Sequence, residues 1–153
     1  MNLIFLSVMA GIAAVSFSVF FNGERKTFLA VFSGGFTAWL VFSLMLSFNY
    51  SEAFSSFMAS LIVGLTGETL SRVMKKPVTV FLIPSIIPLV PGSKIYYMMY
   101  HLVINESLKS YEFGRDTFLI AGAISLGVLF ASVFSRSIIG VRRRRVVHHK
   151  QSY

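Results

Sequence analysis

The sequence predicts an all-α integral membrane protein with about five transmembrane helices, one of them broken at a Pro/Gly motif. Three observations predict it. Of 153 residues, 55% are hydrophobic and only 13% are charged, against about 25% charged in a soluble domain. The apolar residues fall into runs long enough to cross a bilayer, with a mean hydropathy of +0.72. One such run is interrupted by Pro84, Pro88, Pro91 and Gly92. A proline inside a helix removes a hydrogen bond and clashes with the preceding turn, and in a bilayer the freed backbone groups need cover from protein or a wet cavity. Discontinuous helices of this kind line the midplane sites of many transporters. A loop between two short helices, or a structural kink, accounts for the breakers equally well.

Leu3 to Phe21 is the first span, apolar apart from three serines. It does not read as a secretory signal peptide, because no Lys or Arg precedes it and no A-x-A-like site follows. Gly11, Ala13 and Ala14 give it a small face for close packing. After the polar turn Asn22 to Lys26, Thr27 to Phe48 is the second span. Gly34 and Gly35 at its middle are expected to pack a neighbouring helix, and Thr37 offers a hydroxyl. The turn Asn49 to Glu52 has no basic residue, and Ala53 to about Leu70 is the third span. Glu68 and Arg72 are four apart and share a helix face. Glu68 is then either an ionisable group at the mouth of an ion pathway or half of a local pair.

Pro77 ends that helix. Val78 to Val90 is apolar but too short to span alone, and a second half-helix is expected from Gly92 to about Ser110. Lys94 lies in a polar cavity or snorkels to an interface. His101 is a hydrogen-bonded packing residue or, as an intramembrane ionisable group, lines the pathway. The next turn is expected near Tyr111, and Thr117 to about Ile139 is the last span, with a stripe of Gly122, Ala123, Gly127 and Ala131 for packing. Residues 1–140 thus form the helical bundle and residues 141–153 a basic tail, in which Arg142 to Arg145 anchor the topology or meet anionic lipid headgroups.

The chain has no cysteine, which excludes disulfides and thiolate chemistry. No second histidine stands at ligand spacing in any span, so no metal site or other cofactor is expected. No nucleophile–base pair or phosphate loop marks an enzyme. The net charge of +8 is a matter of topology, and nucleic-acid binding is a poor reading of it. Eleven of the fourteen basic residues fall in three places: Arg25 and Lys26; Arg72, Lys75 and Lys76; and Arg136, Arg142 to Arg145 and Lys150. The turns around Tyr50 and Tyr111 carry Glu52, Glu112 and Asp116 instead. The positive-inside rule then places the N-terminus outside and the C-terminus inside, with five crossings. An odd-numbered bundle without a clear internal repeat is a plausible half of a two-bundle transporter, its other half supplied by another chain.

Pro84-x-x-x-Pro88-Leu89-Val90-Pro91-Gly92 followed by Tyr96-Tyr97 resembles the C-terminal half of the threonine/serine exporter family. Gly67 ahead of a basic stretch and the Gly-rich second span ending in Trp39 are similar too. The resemblance covers roughly residues 3–140. It implies a small, separately encoded subunit of the cytoplasmic (inner) membrane. It also implies amino-acid export driven by an ion gradient, of protons, and shared with a larger subunit. The larger subunit's own motifs are absent from this chain. With the free N–H groups expected after the break, the expected substrate-binding residues are Pro88, Pro91, Gly92, Ser93, Lys94 and Tyr97. The substrate class is small hydrophilic metabolites, threonine and serine first. Export of a small dicarboxylate such as succinate, or a non-transporting scaffold or assembly role, are the alternatives.

Overall fold

The computed structural model describes residues 2–150, with the side chains of residue 136 and of residues 138–150 outside what it describes. The basic run Arg142 to Arg145 and the tail to residue 153 therefore lie outside the described side chains. Six α-helices follow in order: α1 (Leu3–Phe20), α2 (Phe28–Ser47), α3 (Glu52–Met74), α4 (Thr79–Ile86), α5 (Gly92–Val103) and α6 (Ser107–Lys150). Short 3-10 turns precede α2 (Arg25–Thr27) and follow α4 (Ile87–Leu89). Among the described residues the chain is all-α, as expected. Among the described residues four helices are long and apolar enough to cross a membrane. The α4 and α5 pair, bent by 50° at Val90-Pro91, makes a fifth if taken as one broken span.

Each of the first three turns, and the one after α5, is closed by a residue in the left-handed region: Asn22, Asn49, Lys75 and Asn105. The bonds are those of a Schellman motif. Gly23 N–H donates to Ser18 and Asn22 N–H to Val19; Glu106 N–H donates to His101 and Asn105 N–H to Leu102. Asparagine tolerates this conformation, whereas a lysine there carries the Cβ penalty of about 1–2 kcal/mol. Lys75→Gly is therefore expected to stabilise the bundle by about 1 kcal/mol. Thermal unfolding in detergent checks this; an unchanged or lower midpoint refutes it.

The turn expected near Tyr111 lies elsewhere. It is Ile104 to Glu106, and Tyr111 sits inside α6. Correspondingly α5 stops at Val103, well before Ser110. The polar residues 107–116 remain helical because they pack on α5: Ser110 Oγ donates to the Met98 carbonyl at 2.9 Å, and Phe113 stacks on Tyr97 and His101. The third span also runs one turn past Leu70, to Met74.

Small residues set the packing. A Cβ on Gly35 would come within 2.6 Å of Ala14 Cβ and 2.8 Å of the Ala10 carbonyl, which fuses α1 to α2. Gly34 lies against Ser85 of α4, and Gly127 of α6 against Ser60 and the Phe57 carbonyl of α3. Gly122 does not belong to this seam, since a Cβ there meets nothing within 4 Å. The α3–α6 contacts Ser60/Gly127, Gly64/Ala131 and Glu68/Ser135 keep one offset of 67 residues, so the two helices run parallel. At that offset the first twelve residues of α6 pass beyond the start of α3, by about 18 Å. The buried core is Ala38, Ala59, Val63, Leu89, Ile120 and Ile124, with a second cluster of Ala14, Val31 and Phe81.

Candidate functional site

The break between α4 and α5 overhangs a cavity of about 420 Å³. Pro88, Pro91, Gly92, Ser93 and Lys94 form its roof, while Trp39 and Phe42 of α2 and Ser56 of α3 form part of its wall. Five of the six residues expected at a substrate site therefore share one cavity. Tyr97 does not line it; this side chain stacks on Phe113 at 5.5 Å between ring centroids, on the α5–α6 hairpin.

Backbone chemistry at the break follows from the prolines. Pro88 has no N–H for the Pro84 carbonyl, and Pro84 has none for Val80. On the far side α5 begins without a side-chain cap. Gly92 N–H turns back to Val90 at 2.7 Å and Ile95 N–H reaches Pro91, which leaves the Ser93 and Lys94 N–H groups without a backbone acceptor. These two donors sit at the positive end of the helix dipole, where an anionic group is favoured.

Lys94 is not a free cation. Its Nζ lies 3.0 Å from Glu52 Oε2 and 3.3 Å from Asp116 Oδ2, and its side chain is 20% exposed. Three helices thus meet in one charged cluster: α3 through Glu52, α5 through Lys94 and α6 through Asp116. A smaller cavity of about 240 Å³ adjoins it, lined by Ser51, Glu52, Lys94 and Asp116. Arg115 balances the other Asp116 oxygen at 3.1 Å.

Two further groups in the cavity wall were not foreseen from the sequence. Trp39 Nε1 and Ser56 Oγ are both buried without a hydrogen-bond partner. A buried polar group left unpaired costs about 1–3 kcal/mol. Ser56 has an escape that it does not use, for neighbouring helix serines return their hydroxyls to a carbonyl one turn back, Ser55 to Ser51 at 2.9 Å and Ser60 to Phe57 at 2.9 Å. An aromatic N–H and a hydroxyl thus stand unpaired in the wall of the cavity that the two backbone N–H groups overhang.

Glu68 and His101, considered for an ion pathway, lie away from this cavity. Glu68 sits sixteen residues along α3 from Glu52, about 24 Å along the helix axis. It accepts from Arg72 at 3.3 Å and from Ser135 Oγ at 3.3 Å, and Arg72 also bonds to Ser135 Oγ, so the three lock α3 to α6. His101 Nδ1 is 2.8 Å from Glu106 Oε2, and its ring stacks on Phe113 at the hairpin tip. Glu106, in the turn, is held below the usual carboxylate range by its hydrogen bonds to Lys109 and then His101.

A family model described as Threonine/Serine exporter, ThrE matches residues 6–134. The chain belongs to the threonine/serine exporter family. The matched range takes in all the cavity residues and every contact of the charged cluster. No solved structure matches the chain. Membership in this family makes the chain a multi-pass membrane transporter of the amino-acid export kind, and by that kind a non-enzyme.

At the opposite end of the bundle, Lys76 of the α3–α4 turn forms an ion pair with Glu24 of the α1–α2 turn. The two basic turns therefore share one face of the bundle. The Lys76 ammonium holds the Glu24 carboxyl below its ordinary value. A carboxylate depressed in this way contributes its contact fully above the unfolded value, and the contact is lost as pH falls through the lowered one. Pairing of the two turns is thus expected at neutral pH, with loss only below the ordinary carboxylate range, under about pH 4. Distance measurement between spin labels on the two turns checks this; loss near pH 6 refutes it.

Proposed function

We propose that this chain is one half of a secondary transporter that exports threonine and serine, working with a larger homologous subunit and driven by an ion gradient. The single observation that carries the substrate reading is the cavity beneath the broken helix. Its roof offers the Ser93 and Lys94 N–H donors to a carboxylate. Beside them the Glu52 and Asp116 carboxylates, which already hold Lys94, offer acceptors to an ammonium group. A small zwitterion satisfies both sets. A dicarboxylate such as succinate needs two free cations, and among the described residues the one cation in the cavity wall, Lys94, is already engaged by two carboxylates.

Partner dependence rests on the bundle's form. Taken as one span, the broken pair gives a count of five crossings, and an odd bundle complements a second one of opposite orientation. The shared face of the Lys26 and Lys76 turns supports a cytoplasmic placement for that end. The test is export of L-threonine and of succinate from cells lacking their own exporters, carrying this chain alone, the larger subunit alone, or both. Threonine export only with both is expected. Export by the purified single chain in liposomes, or preference for succinate, overturns the proposal.

A further inference from the structure

The broken helix has a second cavity at its other end, of about 340 Å³. The first turns of α4 (Thr79, Val80, Ile83, Pro84) line one side of it, and Ser18, Glu24 and Lys76 the other. Its chemistry repeats that of the cavity under the break. Each has a lysine–carboxylate pair at its edge, Lys76 with Glu24 here and Lys94 with Glu52 there. Each has a proline of the broken helix in its wall. Each also has a buried serine whose hydroxyl has no partner, Ser18 here at 2% exposure and Ser56 there at 1%. Ser18 forgoes the bond to its own helix that Ser7 makes to Leu3 at 2.9 Å and Ser16 makes to Ile12 at 3.0 Å. Gly23 closes over it, and a Cβ there would strike the Ser18 hydroxyl.

Between the two cavities the packing is sealed. Ser85 is buried, donates to the Val31 carbonyl at 3.4 Å and lies against Gly34. Phe81 and Val31 are fully buried beside it. The broken helix therefore separates two similarly equipped chambers at opposite ends of the bundle.

We infer that the cavity lined by Ser18, Glu24, Lys76 and Thr79 is a second binding site for the zwitterionic substrate, at the opposite mouth of the transport path. The inference rests on the transporter reading given above. Glu24, which already holds Lys76, offers an acceptor to the ammonium end of such a ligand, as Glu52 does in the first cavity, and Ser18 supplies an unpaired hydroxyl for its carboxylate. Closed packing at Ser85 keeps this site from the other in the conformation described, so the substrate occupies them in turn.

The absence of native cysteines makes a direct test possible. Thr79→Cys and Ser93→Cys are exposed positions, one in each cavity. They are introduced singly into the full chain, co-expressed with the partner subunit that supports export, and reacted with a membrane-impermeant maleimide in vesicles of either orientation. L-Threonine at ten times its dissociation constant is expected to slow labelling about tenfold at both positions. Adding Ser18→Ala is expected to cut the protection at residue 79 to about twofold at the same L-threonine concentration and to keep it at residue 93. A purely structural Ser18 gives the contrary result, because deleting an unpaired buried hydroxyl is neutral or stabilising. Protection at residue 93 alone overturns the second site and leaves the proposed function standing. Protection at neither position overturns both. Full protection at residue 79 in Ser18→Ala also overturns the assignment.

Discussion

Replacing Lys94 by methionine is expected to cut threonine export on the order of a hundredfold, the rate equivalent of about 3 kcal/mol. Lys94 holds α3, α5 and α6 together through Glu52 and Asp116. Without it two carboxylates face each other with no cation between them, and the mouth of the cavity springs open. The stability cost is smaller, about 1–2 kcal/mol, because Glu52 and Asp116 are 47% and 36% exposed and solvent screens much of their repulsion. The triple variant Lys94→Met with Glu52→Gln and Asp116→Asn separates fold from function. It removes the repulsion and is expected to regain stability, yet it lacks the carboxylates proposed to receive the ammonium group and is expected to stay inactive. Lys94→Arg is expected to recover export in part, because a planar fork replaces a compact ammonium. Wild-type export by the triple variant refutes the role given to the cluster.

Trp39→Phe and Ser56→Ala are each expected to lower export roughly tenfold, the worth of one hydrogen bond to substrate. Together they are expected to cost more than either alone, since both groups line one cavity. Stability runs the other way. Both polar atoms are unpaired in the protein, so their removal relieves an unmet desolvation cost and is expected to leave the unfolding midpoint unchanged or raised. Lower stability with unaltered export per inserted molecule places these residues in the packing alone.

The spans and the break were legible in the sequence because hydropathy and proline act locally. The last turn was misplaced for the same reason. Lys109, Glu112, Arg115 and Asp116 read as an extramembrane turn, although a polar segment is as helical as an apolar one when it packs on a neighbour, as Ser110 and Phe113 do on α5. A better signal was present. Asn22, Asn49 and Asn105 each follow an apolar run, and all three take the left-handed conformation that closes a helix. Reading asparagine as helix punctuation would have put the turn at residue 105.

The candidate site divides in a similar way. Pro88 to Lys94 was legible because the motif is contiguous. Glu52 and Asp116 were visible as acidic residues at span ends, yet their meeting with Lys94 across 42 and 22 residues of chain is a product of the fold. Trp39 and Ser56 carried no such mark, since an unpaired atom is a property of the packed structure. Glu68 and His101 show the reverse limit. Both are ionisable groups in apolar helices, and tertiary contacts with Ser135 and Glu106 engage them away from the cavity.

The central claim is that the cavity beneath the break receives the substrate, and Gly92→Leu tests it most directly. Gly92 is the first residue of α5, its φ is not positive, and a Cβ built on it meets nothing within 4 Å. The protein has room for the side chain, and leucine is the better helix former by about 0.8 kcal/mol. Membrane level and unfolding midpoint are therefore expected to match or exceed those of the wild type. The leucine side chain nevertheless intrudes at the cavity roof beside the Ser93 and Lys94 N–H groups. The measurement is threonine export per molecule of membrane-inserted protein. Near-complete loss of export with normal insertion is the expected result, and wild-type export per molecule would contradict the site.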